Sequence, residues 1–263
     1  MKKIFFILIL ISFLVSLFAT ALIINKADGS TLSFDVNEVN TIRFLNTESV
    51  VSTEGLIAYY PFSGNAIDKS GVENNGVIYG ATLVNDRFGN SNAAYSFNGI
   101  NNYIQIKNNE ILNPYDAITY GGWFNLANLT QYNKRMIAKT EYSGYNLTLN
   151  HENYENLISA RIRVNNSYLI TSFSNNLIQA NSWFCVYVTY DGYSEKLYLN
   201  GQLVDTKIQE GIIVPSTQPL IIGAEPSHRV GIEYYFNGII DDIRIYNRAL
   251  TQVEIQTLYQ EVK

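Results

Sequence analysis

Two adjacent carboxylates, Asp241 and Asp242, stand in a run of isoleucines near the C-terminal end, Ile239-Ile-Asp-Asp-Ile-Arg-Ile-Tyr246. Read as a strand, this run has two faces, because successive side chains alternate. Ile239, Asp241, Ile243 and Ile245 share one face; Ile240, Asp242, Arg244 and Tyr246 share the other. The alternation predicts an exposed ion pair between Asp242 and Arg244, a contact of little energetic weight. It sets Asp241 on an apolar face, where a bare carboxylate is costly. That group must be paired, protonated or metal-bound, and a hard cation with oxygen ligands suits a chain rich in Asn, Asp and turn carbonyls. The same alternation argues against catalysis by this pair. Glycoside hydrolysis needs two carboxyls about 5 to 10 Å apart across a cleft, and strand neighbours point away from each other.

Other reactive residue types are sparse. Cys185 lies mid-strand among aromatics in Trp183-Phe-Cys-Val-Tyr-Val-Thr-Tyr190 and reads as a buried packing group, not a nucleophile. His151 and His228 are the two histidines, and neither accompanies a serine elbow. One cysteine and two histidines exclude a disulfide framework and thiolate or His-cluster zinc sites. Aromatics in loops are candidates for ligand contacts: Tyr132, Tyr142, Tyr145 and Tyr154 form one group, and Tyr234-Tyr235 another. Tyr59, Tyr95, Tyr103, Tyr187, Tyr198, Trp123 and Trp183 fall instead where strand cores are expected.

The elements that must position these groups are strands. The chain has 263 residues, 47% hydrophobic and 16% charged, with 20 Tyr and 13 Phe, too apolar for a disordered polymer. A formal net charge of −5 argues against a nucleic-acid partner. From Gly55 onward, short β-favouring runs alternate with Gly, Asn, Ser and Asp clusters. Asn200-Gly201 between alternating runs predicts a two-residue hairpin. The bulky run 183–190 predicts a strand covered on both sides. Thr251 and Glu254 predict a capping box, followed by an apolar helix face of Ile255, Leu258, Tyr259 and Val262 that serves for packing. The expectation is an all-β, antiparallel two-sheet sandwich over residues 55–263, closed by a short C-terminal helix.

The front of the chain reads as an address. Lys2-Lys3, an apolar run from Ile4 to Phe18 and Ala19-Thr20-Ala21 describe a signal peptide over residues 1–21 and a secreted or cell-surface product with no membrane span after cleavage. Leu22-Ile-Ile24 extends the apolar stretch, so an uncleaved anchor is the alternative. Residues 22–46 predict a small β-hairpin leader turning at Asp28-Gly29, with a third strand at 39–44. Residues 47–54 read as a linker.

Three blocks carry a family resemblance. They are Gly55-Leu-Ile-Ala-Tyr-Tyr-Pro-Phe62 through Asn102-Tyr103-Ile; Trp183 through Leu197-Tyr-Leu-Asn-Gly201; and Phe236-Asn-Gly-Ile-Ile-Asp-Asp-Ile-Arg-Ile-Tyr246 onward. In this order they resemble a bacterial laminin G-like jelly roll of the concanavalin A-like lectin/glucanase superfamily. The resemblance implies two curved antiparallel sheets, with the first and last strands side by side and often bridged by calcium. It thereby suggests a structural calcium held by Asp68 and Asp241, with Asn75 as a third ligand. The alternative stays open that Asp68 caps the Ser70-Gly71 turn and Asp241 pairs with an arginine or backbone amides. Glycosidases of this fold carry Glu-x-Asp-x-Glu or Glu-x-Asp-x-x-Glu on one strand, a spacing this chain lacks. The resemblance thus implies a non-catalytic binding or adhesion module for a glycan or extracellular polymer. A structural, self-associating surface protein is the alternative, and a hydrolase is disfavoured.

Overall fold

A computed structural model of the chain describes residues 21–25, 30–35, 51–130, 132–140, 142–150, 157–227 and 231–262. Residues 1–20 of the expected signal peptide, the Asp28-Gly29 turn, the third leader strand, Tyr154 and both histidines lie outside the described residues. The chain divides into two compact units, Met1–Glu48 and Ser49–Lys263. In the first, Ala21–Asn25 pairs antiparallel with Thr31–Asp35, Ala21 facing Asp35 and Asn25 facing Thr31. Among the described residues no helix is long and apolar enough to cross a membrane.

The second unit is a sandwich of two antiparallel sheets. One has seven strands in the order Ser167–Ser174, Leu157–Val164, Tyr145–Leu149, Lys134–Lys139, Leu220–Ile222, Tyr103–Ile106 and Gly76–Tyr79. The other runs Gln202–Ile208, Ser194–Leu199, Trp183–Tyr190, Ile118–Leu126, Asn237–Tyr246, Ala94–Asn98 and Thr82–Val84. Its eighth strand, Leu56–Tyr60, lies beside Asn237–Tyr246, so the first and last sandwich strands are neighbours as expected. Asn200 and Gly201 take φ of 49° and 77°, the left-handed values a two-residue turn needs to follow strand twist. Leu199 and Gln202 flank that turn as a pair.

Alternation along Trp183–Tyr190 feeds two cores. Phe184, Val186, Val188 and Tyr190 enter the space between the sheets. Cys185 and Tyr187 point to the other side, where they join Trp123, Tyr198 and Tyr246 under the helix Gln252–Gln260. The predicted capping box is formed: Thr251 Oγ accepts from the Glu254 amide, and the Glu254 carboxylate accepts from the Thr251 amide. Ile255 and Leu258 are buried by the helix, whereas Val262 lies past its end and is exposed. Burial pushes the Cys185 thiol up, as suits an inert packing group.

The last strand corrects the sequence reading. Its first half pairs with Ala94–Asn98 and its second with Leu56–Tyr60. At the switch, the register against Ile118–Leu126 shifts between Asp241 and Arg244, and Asp242 adopts φ 49°. The bulge inserts an extra residue, so Ile240 as well as Ile243 and Ile245 points into the main core. Asp241 and Asp242 consequently face the same way. The bulge needs a bare neighbour: a Cβ at Gly122 would lie 2.6 Å from Ile243 Cδ1 and 3.0 Å from the Asp241 and Asp242 carbonyls.

Glu195 enters the main interior from Ser194–Leu199 and is fully buried. Its Oε1 accepts from the Thr171 amide at 2.9 Å and hydroxyl at 2.6 Å across the sandwich. Burial pushes its carboxyl up to about 8, against the opposing pull of the Thr171 bonds. Between the ordinary Glu range and that value the folded state holds a proton the unfolded chain has lost. The stability that Glu195 contributes is therefore complete below about pH 4.5 and is lost as pH rises towards 8, by at most about 1.4 kcal/mol per pH unit. Denaturant melts across this range will show that slope, and Glu195→Gln will flatten it.

Candidate functional site

Asp68 and Asn75 meet, but as loop fasteners. Asp68 Oδ1 accepts from the amides of Tyr59 at 2.9 Å and Ser70 at 2.8 Å. Its Oδ2 accepts from Ser70 Oγ and the Asn74 amide, both at 2.9 Å. Four donors occupy about all the lone pairs a carboxylate offers. Asn75 Oδ1 is engaged by the Asp68 amide at 2.9 Å.

Asp241 has a cation of another kind. Arg87 Nη1 lies 3.0 Å from Asp241 Oδ2 and 2.5 Å from Asp242 Oδ2. Asp241 Oδ1 accepts from the Asp242 amide, and Asp242 Oδ1 accepts from the Tyr59 hydroxyl. The Arg87 guanidinium rests 4.4 Å from the ring centres of both Phe88 and Trp123. Among the described residues no group of three or more His, Cys, Asp or Glu side chains could hold a metal ion. Asp68, Asn75 and Asp241 therefore do not fit a calcium site: donors saturate Asp68, and a guanidinium supplies the positive charge at Asp241. The expected exposed pair of Asp242 and Arg244 is likewise replaced. Asp242 is fully buried on Arg87, while Arg244 pairs with Glu261 at 2.8 Å and lies 4.0 Å over the Tyr59 ring. Asp242 and Arg244 do share one face, since Ile243 and Ile245 point inward, but the helix layer covers that face, where Arg87 claims Asp242 and Glu261 claims Arg244.

The four tyrosines separate by environment. Tyr145 is 1% exposed, beside Tyr120 with ring centres 4.9 Å apart, and its hydroxyl donates to the Leu112 carbonyl. It faces the sandwich interior with Leu147 and Leu149 on the same strand, which removes it from the ligand-contact group. Tyr132 and Tyr142 are exposed, at 54% and 70%.

Tyr142 belongs to a larger cluster on the outer face of the seven-stranded sheet. Ile158, Ala160, Ile162 and Val164 point inward, so Ser159, Arg161 and Arg163 point out. Arg163 stands opposite Tyr168 on the next strand, and the guanidinium carbons of Arg161 and Arg163 lie 4.3 and 4.8 Å from its ring centre. Burial raises the Tyr168 hydroxyl; the two arginines lower it, and Glu225 and Tyr142 raise it again, so these groups share one electrostatic neighbourhood. Glu225 pairs with Arg135 at 2.7 Å. Burial raises its carboxyl despite the opposing pull of Arg135 and Arg161.

Tyr234 and Tyr235 bridge the two ends of this face. Arg135 lies 4.9 Å over the Tyr234 ring, while Tyr235 approaches Tyr103, which stacks on Tyr79 at 4.4 Å. Tyr234 takes φ 57°, a left-handed value uncommon for a bulky residue. Consecutive aromatics are thereby turned to separate neighbours. The face thus carries the ring of Tyr168 between the partly buried guanidiniums of Arg161 and Arg163, beside the buried ion pair of Arg135 and Glu225. Sequence reasoning missed Arg135, Arg161, Arg163, Tyr168 and Glu225. For the arginines the signal was present: Arg161 and Arg163 alternate with a strict apolar set.

The Arg87 ion pairs can be checked directly. Arg87→Ala removes the guanidinium that two buried carboxylates share and will lower the unfolding free energy by about 3 to 5 kcal/mol. A chelator will leave the calorimetric melting temperature of the unaltered chain where it was; a fall on chelation would restore a metal to the account.

A family model described as concanavalin A-like lectin/glucanases superfamily matches residues 98–256. No curated protein matches the chain. Among solved structures, the binding domain of Paraclostridial Mosquitocidal Protein 1 superposes with TM-score 0.63 at 21% identity, covering 79% of this chain and 52% of that one. The receptor binding domain of botulinum neurotoxin C/D mosaic serotype gives TM-score 0.62 at 18% identity, with 80% and 52% covered. Domain 4 of AbnA, a GH43 extracellular arabinanase from Geobacillus stearothermophilus solved with arabinotriose, gives TM-score 0.61 at 18% identity, with 78% and 98% covered. The chain spans about half the length of the two toxin domains. With the model matching more than half of its residues over this two-sheet sandwich, the chain belongs to the concanavalin A-like lectin/glucanases superfamily.

Proposed function

We propose that the chain is a secreted, non-catalytic recognition module that binds a glycan or extracellular polymer on the outer face of its seven-stranded sheet. The observation that carries this reading is the cluster of Arg161 and Arg163 flanking Tyr168, with Arg135, Glu225 and Tyr142 in the same neighbourhood. Rings on rigid strands supply stacking area, and fixed guanidiniums supply hydrogen bonds in set directions. The similar structures include a domain solved with arabinotriose and toxin receptor-binding domains, which supports recognition over chemistry. The missing Glu-x-Asp-x-Glu spacing points the same way. The basic, apolar and Ala-x-Ala segments at residues 1–21 support export.

A glycan array probed with the purified chain, spanning neutral arabinan fragments and sialylated oligosaccharides, will give selective binding. Arg163→Ala and Tyr168→Ala will each weaken it roughly tenfold while leaving the melting temperature within a few degrees. Binding to no glycan, or binding indifferent to both substitutions, would overturn the assignment. Release of reducing ends from a bound polysaccharide would overturn its non-catalytic part.

Self-association is the second reading, and one observation favours it. Val77, Ile78 and Tyr79 are exposed on Gly76–Tyr79, the terminal strand of the seven-stranded sheet. An apolar terminal strand is a template for pairing with another chain. Under that reading light scattering will show concentration-dependent dimers that Ile78→Lys abolishes.

A further inference from the structure

The outer face of the eight-stranded sheet holds a cleft of about 310 Å³ that the proposed function does not use. Arg87 and Phe88 form one side, Trp123 and Trp183 the floor strands, and Tyr259 with the chain end at Glu261 the other. Phe88 and Tyr259 are exposed, at 44% and 37%, and Trp183 is half-buried. The Trp123 ring stacks on Tyr259 with centroids 5.6 Å apart. The cleft is therefore walled by ring surfaces held in place by the helix and the Arg87 cluster.

Two donors at this cleft lack acceptors. Trp123 Nε1 and Arg87 Nε are both buried and have no hydrogen-bond partner, and Trp123 as a whole is only 8% exposed. Buried donors are ordinarily satisfied, so an unsatisfied pair beside one opening calls for an occupant. An aliphatic occupant would leave both donors unmet, at a cost. An anion finds no surplus positive charge, because Arg87 already faces Asp241 and Asp242, and Arg244 faces Glu261. A neutral ring bearing hydroxyl oxygens fits best: its C–H surface covers the exposed rings of Phe88 and Tyr259, and its oxygens are acceptors that a small shift of the cleft wall brings to the indole and guanidine N–H groups. The volume lies at the small end of ligand pockets and suits one ring.

We infer that this cleft is a second ligand site, taking a single neutral, hydroxylated ring such as a pentose or hexose unit. It lies on the sheet face opposite the arginine–tyrosine cluster, which makes the sandwich a two-sided binder able to engage two segments of a polymer or two chains.

Both tryptophans of the chain, Trp123 and Trp183, line this cleft. Tryptophan emission therefore reports on this site and not on the outer face of the seven-stranded sheet. The full chain is titrated with arabinose, xylose, glucose and galactose up to roughly 100 mM, above the millimolar dissociation constant that so few atoms support. At least one sugar will change the emission saturably. Phe88→Ala and Tyr259→Ala, which truncate rings already partly in solvent, will each weaken that response roughly tenfold while keeping the melting temperature, and Arg163→Ala will leave it unchanged. No saturable response to any of the four sugars would overturn the proposal, and so would a response that survives both ring truncations. Loss of the response in Arg163→Ala would also overturn it, by tracing the signal to the opposite face.

Discussion

The grip of one guanidinium on two carboxylates, Arg87 on Asp241 and Asp242, is the constraint around which the sandwich closes. The final strand must serve two partners along one edge, Ala94–Asn98 and then Leu56–Tyr60. A bulge makes that change of partner, and its extra residue turns Ile240 and Ile243 inward together. The consequence is two carboxylates on one side with no access to water. Burying them is tolerable only beside a matching charge. Arg87 provides it, and its stacking on Trp123 and Phe88 ties the cluster to the aromatic layer under the helix. Gly122 leaves the space into which the bulged backbone settles.

The two outer faces diverge from this point. On the eight-stranded sheet, the helix and chain end cover the aromatic layer, and Arg244 reaches Glu261 to hold that end. Burial alone would pull the Arg244 guanidinium down, but Tyr187, Tyr59, Glu261 and Asp242 outweigh it and keep it charged. On the seven-stranded sheet the arginines serve a different purpose. Arg161 and Arg163 bracket Tyr168 and are only partly buried. Arginine suits both settings, because its flat, weakly hydrated head stacks on rings while its fork fixes acceptors. Lysine is used otherwise: Lys139 is fully buried and donates to Asn108 Oδ1 and to the carbonyls of Ser216 and Gln218, a tie between loops. Burial pulls its ammonium down to about 8.

Local rules made much of this legible in the sequence. Asn200-Gly201 and the Thr251–Glu254 box encode their structures within a few residues, and both form as expected. The bulky 183–190 run implied cover on both sides, which the two cores supply. Alternation failed at Asp241 because a bulge is decided by the partner strands and by space at Gly122, neither of which adjoins it in the chain. The partner of the two carboxylates, Arg87, lies over 150 residues away, so nothing local could name it. Asp68 shows the opposite case, since the Ser70-Gly71 turn that claims its oxygens was visible beside it. Tyr145 was grouped with the loop aromatics, although Tyr145, Leu147 and Leu149 already alternate as a strand facing the interior.

Recognition by the seven-stranded sheet requires that a ligand sit on its outer face. Amide chemical-shift mapping of the isotope-labelled chain, with the tightest-binding glycan from an array, tests this directly. The predicted result is a contiguous set of perturbed amides around Arg135, Arg161, Arg163, Tyr168 and Glu225, on the outer face of the seven-stranded sheet. Perturbations confined to the Asn65–Asn75 loop region, or scattered with no focus on that sheet, would contradict it.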